Sequence, residues 1–306
     1  MIRSVLGEIP RSQLGQTLVH EHLMNQTGSL VHDDDANLNE DALVGREIGD
    51  AMKWGLRSLV EVSTFEMQRN MIGIKELAVS SGLNVIISTG FFFGPFVTEA
   101  VRSTTPRRLA DAMLDDLRGE NFWGISAGVI GEIGISAGGL TPWELHIHEA
   151  AALAHGETNC SIITHTCEGE RALEQVQALT ERGVRPASIL ICHIDADRPI
   201  DDHLAVLDTG ANVSLDRVGD LRRCDDEARA QRLGELIMRG YTSQIMLSHD
   251  LARKSRLKAG GGHGYEHLFK NFLPRLRELA IPEETIEQIV VKNPGAFLDW
   301  DKMEAA

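Results

Sequence analysis

The sequence predicts an α/β fold, a distorted (β/α)8 barrel of the TIM type with its active site at the C-terminal ends of the strands. Three observations carry that expectation. Short apolar runs alternate with longer stretches of helical periodicity about eight times along the 306 residues. The runs are nearly continuous in Val, Ile and Leu, as suits strands covered by helices outside and packed side chains inside. Polar residues of one chemical kind recur at the ends of these runs, and a parallel barrel gathers all such ends on one face.

The first run is QTLVH, ending at His20. The helical stretch EDALVGREIGDAMKWG leads to the second, RSLVEVS at 57–63, and NMIGIKELAVSSG leads to the third, NVIISTG at 84–90. PRRLADAMLDDLRG precedes the fourth, ISAGVIGEIG at 125–134, and HIHEAAALAHGET precedes the fifth, CSIITHT at 160–166. GERALEQVQALTERG precedes SILICHID at 188–195; ANVSLD at 211–216 and QIMLSHD at 244–250 complete the set. A doubly wound open sheet would carry a Gly-rich phosphate turn after its first strand, where this chain has His20-Glu21-His22. No internal repeat or low-complexity linker interrupts 1–306, which reads as one domain.

Composition narrows the function. A formal charge of −15 with no offsetting basic region argues against a nucleic-acid partner. Cys160, Cys167, Cys192 and Cys224 form neither a CxxC pair nor a dense framework, which suits reduced thiols in the cytoplasm. MIRSVLGEIPRSQLG lacks an apolar signal core, and no stretch reaches the length of a membrane span.

Strand geometry now assigns the polar tips. In a strand His20 and His22 point the same way and Glu21 the other, so the two imidazoles can share one cation. The fourth strand ends with Glu132, the fifth with His165, the sixth with His193 and the eighth with Asp250. Buried groups of this kind cost stability unless paired or metal-bound. Four imidazoles and carboxylate oxygens suit two divalent ions per chain, zinc first, with manganese, cobalt or iron open. The expected arrangement puts His20, His22 and Asp250 around one ion and His165 and His193 around the other, with Glu132 bridging. A water held between two such ions is a nucleophile near neutral pH, and Asp250 is the expected catalytic residue that orients it and accepts its proton.

GQTLVHEH, ITHT, ICHID and LSHD, in this order and spacing, resemble the phosphotriesterase family of the amidohydrolase superfamily, over essentially the whole chain. The tail IEQIVVKNPGAFL resembles the family's closing helix and Asn-Pro turn. The resemblance implies a distorted barrel with a binuclear metal centre and, as a partner, a second copy in a homodimer. One departure stands out. The organophosphate-degrading members bridge their metals with a carboxylated lysine on the fourth strand, where this chain has VIGEIG and only Glu132 to replace it. It therefore resembles the phosphotriesterase homology branch, and paraoxonase-like activity does not follow from the family name.

Other features have two readings each. The loop DLARKSRLKAGGGHGYEHLF, 250–269, lacks the P-loop pattern, and its glycines suit a mobile lid over the metals. Lys254, Arg256, His263 and Tyr265 within it either grip an anionic small-molecule substrate or belong to a solvated charged loop. Phe92, within FFFGPF at 91–96, is expected on an apolar pocket wall, and Arg217 after the seventh strand faces either substrate or solvent. His249 and Cys192 alternate with ligands and are expected to pack against the outer helices. Glu21 faces away from the metals, toward a structural salt link or a ligand-supporting contact. Asp195 and Glu168 have either a supporting or a surface role. HDDDAN, 32–37, reads as a solvated loop, and His146 and His148, two apart on a helix, share no metal.

The leading expectation is a metal-dependent hydrolase whose metal-bridging hydroxide attacks a carboxyl ester, lactone or amide, with a phosphoester as the alternative. A mononuclear deaminase-like enzyme and a non-catalytic ligand-binding barrel are the remaining alternatives; one ion per chain would favour the former, and no hydrolysis with two ions bound the latter.

Overall fold

The computed structural model describes residues 1–301. A short antiparallel hairpin, β1 (Ile2–Ser4) and β2 (Gly7–Ile9), comes first. Eight parallel strands follow: β3 (Gln16–Glu21), β4 (Leu56–Glu61), β5 (Asn84–Thr89), β6 (Val129–Ile135), β7 (Ile162–Thr166), β8 (Ile189–Ile191), β9 (Asn212–Leu215) and β10 (Ile245–Leu247). Each pairs with the next, in the order β3 through β10. This is the expected alternation, nearly closed into a barrel. The fourth strand begins at Val129, later than the sequence suggests, because 125–128 run as a loop.

The helices lie between the strands. The largest are Asp41–Lys53, Met71–Ser81, Pro106–Arg118, Pro142–Thr158 and Asp226–Met238. Their starts are chemically marked. Thr141 and Glu144 form a reciprocal capping box, Asn70 caps Gly73 N, and Asp225 caps Ala228 N.

Two apolar clusters follow from strand alternation. Val19, Val60, Ile86, Val129, Ile163, Leu190 and Met246 fill the barrel interior, while Leu18, Leu59, Ile87, Ile130 and Ile191 face the helices. The hairpin, which the sequence reading did not anticipate, delivers Ile2 to the interior cluster together with Leu14, Phe297 and Leu298. They plug the end opposite the strand tips. Asn293 of the Asn-Pro turn donates to the carbonyls of Thr242 and Ile245, each at 2.7 Å, and so anchors the start of β10.

The seam between the last and first strands is closed differently. Ser248 Oγ accepts from His20 N at 3.0 Å and donates to Glu21 Oε1 at 2.7 Å, and Asp250 N donates to His20 O at 3.2 Å. Glu21 also accepts from the backbone N–H groups of His249 and Leu251 and contacts His249 Nδ1 at 3.1 Å. Its buried carboxylate therefore fixes the segment that carries Asp250.

Candidate metal centre

His20, His22, Glu132, His165, His193 and Asp250 meet at the C-terminal end of the barrel. His20 Nε2 lies 3.4 Å from Glu132 Oε2 and 3.8 Å from Asp250 Oδ1. His22 Nε2 lies 3.5 Å from Glu132 Oε1 and 3.6 Å from Asp250 Oδ1. On the other side His165 Nδ1 is 2.9 Å and His193 Nε2 3.5 Å from Glu132 Oε2, and the two nitrogens are 3.0 Å apart. Glu132 stands between the two groups.

Local backbone irregularities aim these side chains. The β3–β4 register shifts between Leu18 and Glu21, so Val19 and His20 both face inward before alternation resumes with His22. The β6–β7 register shifts between Ile130 and Ile133. There Gly131 has φ +124°, and a Cβ on it would lie 2.1 Å from Ile163 O, so only glycine fits beside Glu132. His193 and Asp250 lie beyond their strands with φ of 64° and 52°, a conformation uncommon outside glycine that clusters at functional sites.

The donor set fits divalent cations. His20 is fully buried and neither of its ring nitrogens has a hydrogen-bond partner, a costly arrangement without a ligand for at least one lone pair. His193 Nδ1 faces Asp216 Oδ1 at 3.0 Å, and this carboxylate also accepts from His193 N. In the neutral ring the proton therefore sits on Nδ1, and the Nε2 lone pair faces His165 and Glu132. Potential ligand atoms of His20, His22 and Glu132, and of Glu132, His165 and His193, lie within 4.8 Å of one another in each group. Electrostatics agree. Burial opposes ionisation of Glu132, yet His165 and His20 hold its carboxyl well below the usual range. Burial, then the nearby His193, push the His165 imidazole down to about 4.

Asp216 was missed in the sequence reading, although it ends the ANVSLD strand and the strand-tip rule that found the other donors applies to it. Cys192 corrects another expectation. It belongs to the interior cluster, within 4.8 Å of His20 and Asp216, because β8 ends at Ile191 and the left-handed His193 brings two successive side chains inward. His249 packs outside as expected, with Nε2 accepting from Leu268 N.

Above the donors lies a cavity of about 270 Å³ whose wall includes Phe92, Phe93 and Phe96 and whose rim includes Arg222, Arg253 and Arg256. Phe92 thus stands where expected, and Phe93 stacks on His165 at 4.6 Å between centroids, while Phe91 packs on Phe65 instead. Arg256 reaches the rim, donating to Asp250 O and Asp220 Oδ2, each at 2.6 Å. Arg217 Nε is 4.0 Å from Asp250 Oδ2 and has no hydrogen-bond partner.

The other loop candidates are not brought to this cavity. Tyr265 is fully buried and donates its hydroxyl to His22 O at 2.5 Å. His263 stacks on His249 and lines an adjoining cleft beside Gly219 and His267. Lys254 does not line the cavity. The physical reason is the path of the loop, which folds back on itself: a Cβ on Gly262 would lie 2.3 Å from the Arg256 backbone. Gly260, Gly262 and Gly264 serve close packing, and Gly261 the left-handed turn at φ +87°. HDDDAN is likewise engaged, because Asp35 accepts from Ser255 N at 2.7 Å and Asp33 pairs with Arg253. Asp195 holds the buried Arg229 at 2.7 Å, and Glu168 contacts Arg223 at the surface.

A sequence profile described as the phosphotriesterase family matches residues 1–298. The chain belongs to that family. It is 34% identical over 284 residues to the phosphotriesterase homology protein of Escherichia coli (strain K12), covering 92% of this chain and 97% of that protein. The crystal structure of that relative, with phosphate in its active site, superposes with a TM-score of 0.91 over 94% of this chain and 99% of the other. N-acetyltaurine hydrolase of Danio rerio is 29% identical, with 98% of each chain covered. A variant of a phosphotriesterase-like lactonase of Deinococcus radiodurans is 26% identical with a TM-score of 0.87, covering 98% of this chain and 100% of that one. This family member is a metal-dependent hydrolase. Among the described residues no helix is long and apolar enough to cross a membrane.

Proposed function

We propose that the protein is a two-metal hydrolase that cleaves an amide, ester or lactone bond in a small substrate carrying an anionic group. The observation that carries this reading is the juxtaposition of six donors, in two groups around Glu132, with the buried, unpartnered Nε of Arg217 beside Asp250. His20, His22 and Asp250 would hold one ion, His165 and His193 the other, and Glu132 would contact both. When bound, such ions lower the pKa of a water and polarise the scissile carbonyl. Asp250 lies at the cavity floor as an ionised carboxylate: burial opposes its charge, but His193 and His22 hold its pKa down. It orients the attacking water and takes its proton.

The substrate reading rests on the walls. Phe92, Phe93 and Phe96 offer a small apolar surface for an acyl group, and Arg222, Arg253 and Arg256 bring positive charge to the rim. Arg217 is not part of that lining, but its unpartnered Nε beside Asp250 is left free for charge-assisted hydrogen bonds to an anionic end. N-acetyltaurine, the substrate named for one relative, is an amide of that kind, and the phosphate in another relative is an anion. That phosphate also keeps phosphoester cleavage as a second reading. In this reading the chain works as a single domain in the cytoplasm.

The test is a screen of metal-stripped protein, reloaded with zinc or manganese, on N-acyl aminosulfonates, N-acyl amino acids, lactones and phosphoesters. Hydrolysis of carboxyl-derived bonds by the two-metal form, lost on chelation, is the expected result. Full turnover in demetallated protein, or turnover of phosphoesters alone, would overturn it.

A further inference from the structure

The imidazoles of the centre do not receive the same support. His193 is backed directly by Asp216. His22 is backed by a hydroxyl: its Nδ1 lies 2.8 Å from Ser63 Oγ. A serine hydroxyl has one proton to give and two lone pairs. Here the proton goes to Glu61 Oε1, an oxygen that also receives the Ser63 backbone N–H at 3.3 Å and is therefore an acceptor. Asn25 Nδ2 donates to Ser63 Oγ at 3.2 Å, filling one lone pair. The remaining lone pair faces His22, so the contact forms only if Nδ1 carries the hydrogen.

All four groups are shielded from water; Glu61 and Ser63 have 0% exposure, Asn25 2% and His22 3%. The Ser63 main chain is pinned as well, because Arg69 Nη1 accepts no bond but donates to Ser63 O at 2.8 Å. Glu61 pairs in register with Glu21, the carboxylate that fixes the Asp250 segment. Two neighbouring buried glutamates on the outer side of β3 and β4 thus lie behind two of the donors.

We infer that Ser63, itself oriented by Glu61, is a positioning residue that fixes His22 as the Nδ1–H tautomer and leaves Nε2 free to face Glu132 and Asp250. The inference rests on the two-metal reading only for its effect on binding; the tautomer itself is a property of the metal-free chain. Removing a supporting partner of a metal-bound histidine costs about 10- to 100-fold in metal affinity.

Histidine-selective 15N–1H NMR of the metal-free protein, together with zinc titration, tests this on wild type, Ser63→Ala, Ser63→Thr and Glu61→Gln. Burial lowers the His22 pKa but Asp250 and Glu132 raise it further, so the spectra are taken at a pH above its titration. The expected result there is a pure Nδ1–H signal for His22 in wild type and a mixture in Ser63→Ala. Zinc affinity for one ion should fall about 10- to 100-fold in Ser63→Ala and recover in Ser63→Thr. Glu61→Gln should show a smaller mixture, because its amide can still present an oxygen to Ser63. An Nε2–H signal from the neutral ring in wild type, or an unchanged tautomer and affinity in Ser63→Ala, would overturn the inference. If wild type binds no zinc while the tautomers behave as stated, the two-metal reading fails and the positioning role stands.

Discussion

On the floor of the cavity, six donors carried by five strands or the residues just past their ends converge, held by buried partners such as Asp216, Ser63 and Glu21. At the rim, cations come from loops and are mostly spoken for: Arg222 and Arg256 pair with Asp220, and Arg253 with Asp33. Arg217 lies between the two regimes, close to Asp250 but without a partner for Nε. The contrast separates two kinds of specificity. Cation selection is built into strand geometry, whereas substrate selection depends on how loops after β3, β9 and β10 divide their charges.

The harshest way to break the floor is Glu132→Ala. Removing the carboxylate that lies between both groups should abolish hydrolysis and lower metal content, as read by elemental analysis; retention of two tightly held ions would show that Glu132 does not contact them. The scaffold beneath gives the next largest effect. Burial pushes the His148 imidazole down to about 4, whereas an unfolded chain titrates it near 6.5. The unfolded state binds the extra proton between these values, so stability present above pH 6.5 is lost as pH falls through about 4, by about 3 kcal/mol from this group. Urea unfolding at pH 7 and pH 5 should show a shallower acid loss in His148→Gln than in wild type.

Asp216→Asn, which weakens the acceptor for His193, should cost about 10- to 100-fold in metal affinity, measured by chelator competition. At the boundary, Arg217→Ala should raise KM for anionic substrates about tenfold or more and leave neutral analogues nearly unaffected, the magnitude of one hydrogen bond to a charged group. Equal losses on both substrate types would move Arg217 from the rim to the floor. Smallest of all, Arg253→Ala breaks a partly exposed pair with Asp33 and should change stability by less than about 1 kcal/mol in chemical denaturation.

The same contrast explains what could be read in the chain. The floor was legible because strand ends convert sequence order into spatial proximity, and His20, His22, His165, His193 and Asp250 all lie at or just past such ends. Glu132 stands further back, in the middle of β6, and still reaches the same face. Strict alternation was nevertheless too simple. The bulge before His20, the glycine at 131 and the left-handed turn at His193 each change which side chains face inward, and Cys192 was misplaced for that reason. Asp216, just past the end of the seventh parallel strand, obeys the same rule. The rim was less legible because proximity along a loop does not determine direction: Arg256 points to the cavity, while Tyr265, nine positions later in the same loop, is buried under His22. The N-terminal hairpin was too short to announce itself by periodicity.

The seam has a consequence for the order in which the protein can mature. Its first and last strands meet through Ser248, Glu21 and the His20–Asp250 backbone contact, and donors to the same candidate ion stand on both lips of that join. During synthesis, a ribosome that has released β3 through β9 has supplied every imidazole but not Asp250. A full cation cage is thus a property of the finished polypeptide, and capture of the ion would rivet the earliest and latest strands together.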